Sequence, residues 1–249
     1  MRLLLVFVLL LGNALAQQVV FLIGSTWQGT AASGATFKAE SHASTSSTGA
    51  NAFYDTPGTL SIASNDYLLV LIGYQTGPTV NSVVCGSNTL TVVKTQAASS
   101  YSVAVYALVN ATSAGSTSCR VNFSVSSVNF PAIVGANWSG VPASVTTQSS
   151  CNSAGCNTLA ATSTARTAQN LTPAAGTALL IGVGIDWDAN SSHTSVNGYT
   201  TRVAVAADGT SPFLADRDVS PNGSTAYPSG SFTTAANQQY LSFFLTIQW

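Results

Sequence analysis

Two pairs of aspartates, Asp186 with Asp188 and Asp216 with Asp218, are spaced i, i+2. On an extended strand that spacing puts both carboxylates of a pair on one face. Two carboxyl groups roughly 5–10 Å apart across a sugar are what glycoside hydrolysis uses, and close like charges raise the pKa of one partner. The only glutamate, Glu40, sits in a polar stretch and adds little to such a site. Asp186-x-Asp188-x-Asn190-x-Ser192 also offers oxygens at the alternating places that open a calcium loop. Ser191 stands where that loop needs a sharp-turn glycine, and no glutamate closes it. A polar hairpin turn therefore competes with calcium at Asp186, Asp188 and Asn190, and no other cofactor is expected.

A serine-type hydrolase needs a base, and the two histidines are His42, in a Ser/Thr-rich stretch, and His193, after Asn190-Ser191-Ser192. No G-x-S-x-G elbow exists, because Gly135 to Gly140 has the wrong spacing. Neither histidine is expected to be catalytic. Flat rings are the better prospect. Trp27, Trp187 and Tyr199, set among uncharged Asn, Ser and Thr, would suit the apolar face and hydroxyls of a pyranose. Trp138 ends a core-like run and is expected to pack instead.

Cys85, Cys119, Cys151 and Cys156 allow three disulfide pairings. Cys151 and Cys156 bracket a tight Asn-Ser-Ala-Gly loop, which leaves Cys85 with Cys119. In the chain-entropy model the short ring is worth roughly 2 kcal/mol and the long one nearly 4. Neither pair has zinc-ligand spacing with a nearby histidine.

These residues belong to a chain with an export address. Arg2, the apolar run Leu3 to Leu11 and the small-x-small Ala14-Leu15-Ala16 have the layout of a signal peptide over 1–16, too short to span a bilayer. The mature protein is expected to begin at Gln17 and to be secreted or held at the cell surface. Asp, Glu, Lys and Arg make up 6% of the chain, against roughly a quarter in average proteins. With a net charge of −1 there is no electrostatic footprint for nucleic acid and no basic face for anionic lipid. Neither partner is expected; an extracellular glycan or self-association is. Sequons at Asn110, Asn122, Asn137, Asn170, Asn190 and Asn222 are about what this Ser/Thr content yields by chance.

Helical periodicity is nearly absent, and β-branched and aromatic residues come in short runs broken by Gly, Asn, Ser and Pro. From Ser118 to Val125, Cys119, Val121, Phe123 and Val125 point one way and Arg120, Asn122 and Ser124 the other, as in a strand with one wet face. Leu241, Phe243, Leu245, Ile247 and Trp249 alternate in the same manner. Leu68 to Ile72 and Leu179 to Val183 are apolar on both faces, as central strands are.

Leu68-Leu69-Val70 returns 111 residues later as Leu179-Leu180-Ile181, and Phe130 to Trp138 returns at the same offset as Leu241 to Trp249. One copy alone would leave a bare sheet edge and an uncovered apolar face. The chain is therefore expected to be all-β: a two-sheet antiparallel β-sandwich, jelly-roll-like, in a single domain over 17–249. The pseudo-repeats cover about 66–138 and 177–249, joined by a connection over 139–176.

The motifs Asn65-Asp66-Tyr67-Leu68-Leu69-Val70, Ser82-Val83 with Asn88-Thr89, Ala104 to Ala107, Asn137 to Val141 and Gly198 to Arg202 carry a resemblance. Their order resembles an uncharacterised domain of secreted and surface proteins of bacteria. The resemblance implies a secreted jelly-roll-like sandwich and supplies no catalytic residue. Cys85 departs from it, standing where a polar turn residue is common, and Asn137 stands where an acidic one is frequent. The function expected is non-catalytic: adhesion, surface structure or glycan binding. One alternative is a filament or matrix subunit in which Val19 to Ile23 completes a neighbour's sheet by strand addition. Another is a carbohydrate-active hydrolase using the paired aspartates. An outer-membrane barrel fits poorly, because the doubly apolar runs leave no polar lumen.

Overall fold

An apolar run without alternation needs cover on both faces of its sheet, and Leu68 to Ile72 are completely buried. The computed structural model shows what covers them. It describes residues 34–44, 48–49, 51–98, 101–129, 131–149, 170–187, 194–195, 198–204, 210–220, 223–224, 227–228, 232–233 and 239–249. Every regular element among these is a β-strand.

The principal strands of the first half are β1 (Thr36–Ser44), β2 (Phe53–Asp55), β3 (Leu60–Ile62), β4 (Tyr67–Gln75), β5 (Val80–Cys85), β6 (Asn88–Thr89), β7 (Thr91–Ala98), β8 (Tyr101–Leu108), β9 (Gly115–Thr117), β10 (Cys119–Phe123) and β11 (Ala132–Ser139). Those of the second half are β12 (Thr146–Ser149), β13 (Ala178–Trp187), β14 (Thr200–Ala204), β15 (Thr210–Val219) and β16 (Gln239–Gln248). All pairings are antiparallel. The sheets run β1-β11-β4-β8-β7, then β2-β10-β5-β6, then β12-β16-β13-β15-β14, with β3 and β9 as a separate pair.

The first of these is the central layer. On one face Leu69, Leu71, Val105, Val134 and Trp138 pack with Leu179, Ile181, Val183, Leu214 and Leu245 of the second half. On the other face Leu68, Val70, Ile72 and Ile133 meet Val83, Val121 and Phe123 of the four-stranded sheet. Each such side chain contributes roughly 1.5–3 kcal/mol by leaving water, so β4 stabilises two interfaces at once. The sandwich expected from the sequence is present, with a third sheet added. Beyond the second five-stranded sheet, Leu180, Phe213, Tyr199 and Phe244 form a further apolar layer, which is why Leu179 to Val183 lacks alternation too. Where β4 crosses β13, a side chain on Gly73 would come within 2.8 Å of Ile185 Cγ1.

Cys85 and Cys119 face each other across β5 and β10 and form the expected disulfide. The strand over Cys119–Phe123 alternates buried and less buried residues as its sequence predicts. Val125 does not follow, being 40% exposed, because the ladder stops at Phe123. Cys151 and Cys156, the segment 1–16 expected to be a signal peptide, Val19 to Ile23 and Trp27 lie outside the described residues.

Both five-stranded sheets have the same strand order, β1-β11-β4-β8-β7 matching β12-β16-β13-β15-β14 position for position. Face to face, β4 lies on β13, β11 on β15, β8 on β16 and β7 on β12. The two halves thus share one strand order and pack face to face. The alignment of Leu68 with Leu179 is nevertheless one residue out. Trp138 pairs with Tyr67 and Trp249 with Thr177, so Tyr67 corresponds to Thr177 and Leu69 to Leu179. Leu69 and Leu179 share the inter-half core, whereas Leu68 faces away from it. A one-residue slip exchanges the two faces of a strand, and a run apolar on both faces conceals it.

Candidate functional site

Three neighbouring strands of the central sheet each place one polar side chain at a common point. Asp66, just before β4, is held by the turn Ala63-Ser64-Asn65-Asp66. Asn65 adopts φ 69°, a conformation its short amide tolerates. The Asp66 amide donates to the Ala63 carbonyl, and Asp66 Oδ2 accepts from the Ala63 amide at 2.9 Å. Asn137 on β11 is the one polar residue in a run from Ala132 to Trp138 and is completely buried. Its Nδ2 donates to Asp66 Oδ2 at 2.8 Å and to the Ser61 carbonyl at 3.0 Å, while its Oδ1 has no partner.

Lys38 arrives on β1 through a bulge. Phe37 pairs with Trp138 and Ala39 with Asn137, leaving Lys38 as the extra residue. Bulges re-aim side chains, and Lys38 Nζ lies 2.6 Å from Asp66 Oδ2 and 3.0 Å from the Ser61 carbonyl. The amine and the carboxamide nitrogen thus share two acceptors.

A second cluster joins the halves. Asp216 on β15 is buried in the inter-half core; its Oδ2 accepts from Trp138 Nε1 at 2.6 Å and its Oδ1 from Arg202 Nε at 2.8 Å. Arg202 is the extra residue of a bulge in β14, and its guanidinium lies 4.4 Å from the centre of the Phe37 ring. Phe37 meets Trp138 edge to face at 5.5 Å. Asp218 shares a face with Asp216, as its spacing predicts. Desolvation, and then the Asp216 charge, push its carboxyl up to about 6 despite Arg202 and a bond from the Ala35 amide. The residue as a whole is exposed, but its carboxyl end rests against Gly34.

As a hydrolytic pair these aspartates are badly disposed. Both oxygens of Asp216 are occupied, and it has no access to a substrate. The other pair cannot be placed: Asp186 is on β13 with its side chain outside the described residues, as are Asp188, Asn190 and His193. No group of three or more His, Cys, Asp or Glu that could hold a metal occurs among the described residues.

Trp187 is 1% exposed and stacks on Tyr101 with centroids 4.5 Å apart, so it packs the core and offers no face to a sugar. Tyr199 is buried too, and its phenol is pushed up to about 12 by desolvation. The Asn137 sequon is inside the fold. His42 Nδ1 lies 2.7 Å from Glu40 Oε2.

Sequence reasoning missed Lys38 and the triad it completes. The available signal was Asn137 itself, a lone amide in an otherwise apolar strand. A shallow groove of about 350 Å³ runs along the β7 edge, lined by Thr91, Val92, Val93, Leu108 and Thr147 among others. Compared with protein-family models, with curated proteins and with solved structures, the chain matches none.

Proposed function

We propose that the chain is an exported, non-catalytic β-sandwich protein that works outside the cell in adhesion or surface structure. The observation that carries this reading is Asp216. The carboxylate that a paired-aspartate hydrolase would use is spent on an indole and a guanidinium inside the core. The export layout over 1–16, the very low charge and the resemblance to secreted bacterial surface domains support the same reading. Glycan contact loses weight, since two of its three aromatic candidates are buried. Fractionation of producing cells tests the proposal: the protein is expected in the medium or at the surface, with no turnover of glycosides. Turnover that vanishes in Asp218→Asn overturns it.

A second reading is assembly by strand addition. It is favoured by the β7 edge, where Val92 is 56% exposed beside the groove. Val19 to Ile23 would pair there in a neighbouring copy. Sedimentation should then show concentration-dependent oligomers that Val92→Lys abolishes, and monomers throughout remove it.

A further inference from the structure

We infer that Lys38 and Asn137 form a covalent amide cross-link within the chain, made by the fold itself with Asp66 as the catalytic group. The three side chains come from the adjacent strands β1, β11 and the start of β4. Lys38 Nζ and Asn137 Nδ2 lie 2.6 and 2.8 Å from the same oxygen, Asp66 Oδ2, and both are 3.0 Å from the Ser61 carbonyl. The amine is thereby held beside the carboxamide. An ordinary salt bridge needs no buried amide on the same carboxylate oxygen. A structural asparagine, in turn, would bury its carbonyl oxygen against a donor, yet Asn137 Oδ1 is buried without one.

The chemistry balances from these groups alone. Moving one proton along the Lys38–Asp66 contact gives a neutral amine with a free electron pair and a carboxylic acid. A half-turn of the carboxamide then lets the acid donate to Asn137 Oδ1, withdrawing electrons from Cγ. The amine pair forms the Nζ–Cγ bond, and the acid stabilises charge on the oxygen as the tetrahedral intermediate develops. Asp66 relays a proton from Nζ to Nδ2, the Cγ–Nδ2 bond breaks, and ammonia leaves. It departs as ammonium with the proton that Lys38 first carried, and Asp66 is a carboxylate again. Nothing is oxidised or reduced, so neither an oxidant nor a helper enzyme is required.

Two features favour this course over hydrolysis of the amide. Asn137 and Asp66 are 0% and 1% exposed, which keeps water from competing. Fixing nucleophile and acceptor on paired strands removes the entropic cost of meeting. Lys38 keeps a quarter of its side chain exposed, on the edge strand, which leaves a route for ammonia to escape.

Mass spectrometry of the purified, reduced and denatured protein tests the inference. The tryptic fragment that joins Lys38 to Asn137 is expected to be lighter than its sequence by one ammonia, a loss separate from any cyclisation of an N-terminal Gln17. Trypsin should leave Lys38 uncut, joined to the peptide Val121–Arg166 that carries Asn137. Asp66→Ala should restore the full mass. Should that variant fail to fold, Lys38→Arg keeps the charge opposite Asp66 but lacks the primary amine, and it too should have full mass. Wild-type protein of full mass that is cut after Lys38, or that shows only a hydrolysed carboxamide at Asn137, overturns the proposal. So does an ammonia loss located at Asn137 that persists in Lys38→Arg.

Discussion

The first half of the chain gathers polar groups on the side of its sheet away from the second half, whereas the second half turns a charge toward the first. The register makes the comparison residue by residue. Asn137 corresponds to Gln248, which lies at the surface with its amide bonded to Ala174, and Asp66 corresponds to Gly176. In the other direction, Leu71 pairs with Val105 and Ile181 with Asp216, so an apolar residue in one half answers a carboxylate in the other. The edge strands β7 and β14 both bulge; Val93 packs into the core at one bulge and Arg202 meets Asp216 at the other. A buried charge persists at such a position only when partners reach it, and here one comes from each half.

The largest way to break this asymmetry is Trp138→Ala. It removes a completely buried side chain and the donor to Asp216, and should cost about 3–5 kcal/mol in urea unfolding. Next is reduction of Cys85–Cys119, which the entropic model values at roughly 3–4 kcal/mol for its 34-residue separation. Hydrogen exchange should then rise in β2, β5 and β10 before it rises in β13. Equal loosening of both halves would mean that the bond does not act on the outer sheet in particular.

Arg202→Ala leaves Asp216 with one partner. It should cost about 2 kcal/mol, less than the roughly 3–5 typical of a fully buried pair, because Arg202 is partly solvated. Replacing both, Arg202→Val with Asp216→Val, imports the first half's Val93 and Val105. The double variant should be more stable than Arg202→Ala, apart from the loss at the Trp138 indole. If the double change costs as much as the sum of the single ones, the two sites are not coupled.

The smallest effect is electrostatic. Asp218 has its pKa raised to about 6 from 3.8, so between those values the folded chain binds more protons than the unfolded one. Stability should therefore fall as pH rises from about 4 to 6 and stay level above that, as far as this group is concerned. Asp218→Asn should flatten that slope, read as the urea midpoint against pH.

Much of this was open to sequence reading where the signal is local. Period-two alternation found Cys119 to Phe123, and the unbroken apolar runs found both central strands. Pairing of the cysteines followed from loop length. What could not be read is what depends on register. The bulge that turns Lys38 toward Asp66 leaves no mark on the hydrophobic pattern, and its partners lie far along the chain. Trp187 was expected to offer a face to a sugar and packs the core instead, since alternation assigns a side but not what lies beyond it. The same blindness hid the one-residue slip between the halves.

The middle layer's double coverage has a bearing on biogenesis. Residues as far as β11 emerge before most of the second half exists, and they suffice to close the outer sheet over one side of β4. The opposite side then remains a bare greasy slab until β13 to β16 arrive. A polypeptide stalled or clipped between those points would present a sticky surface ready to clump. Folding of this chain thus calls for prompt completion, and a truncated product should accumulate as aggregate instead of as a smaller working unit.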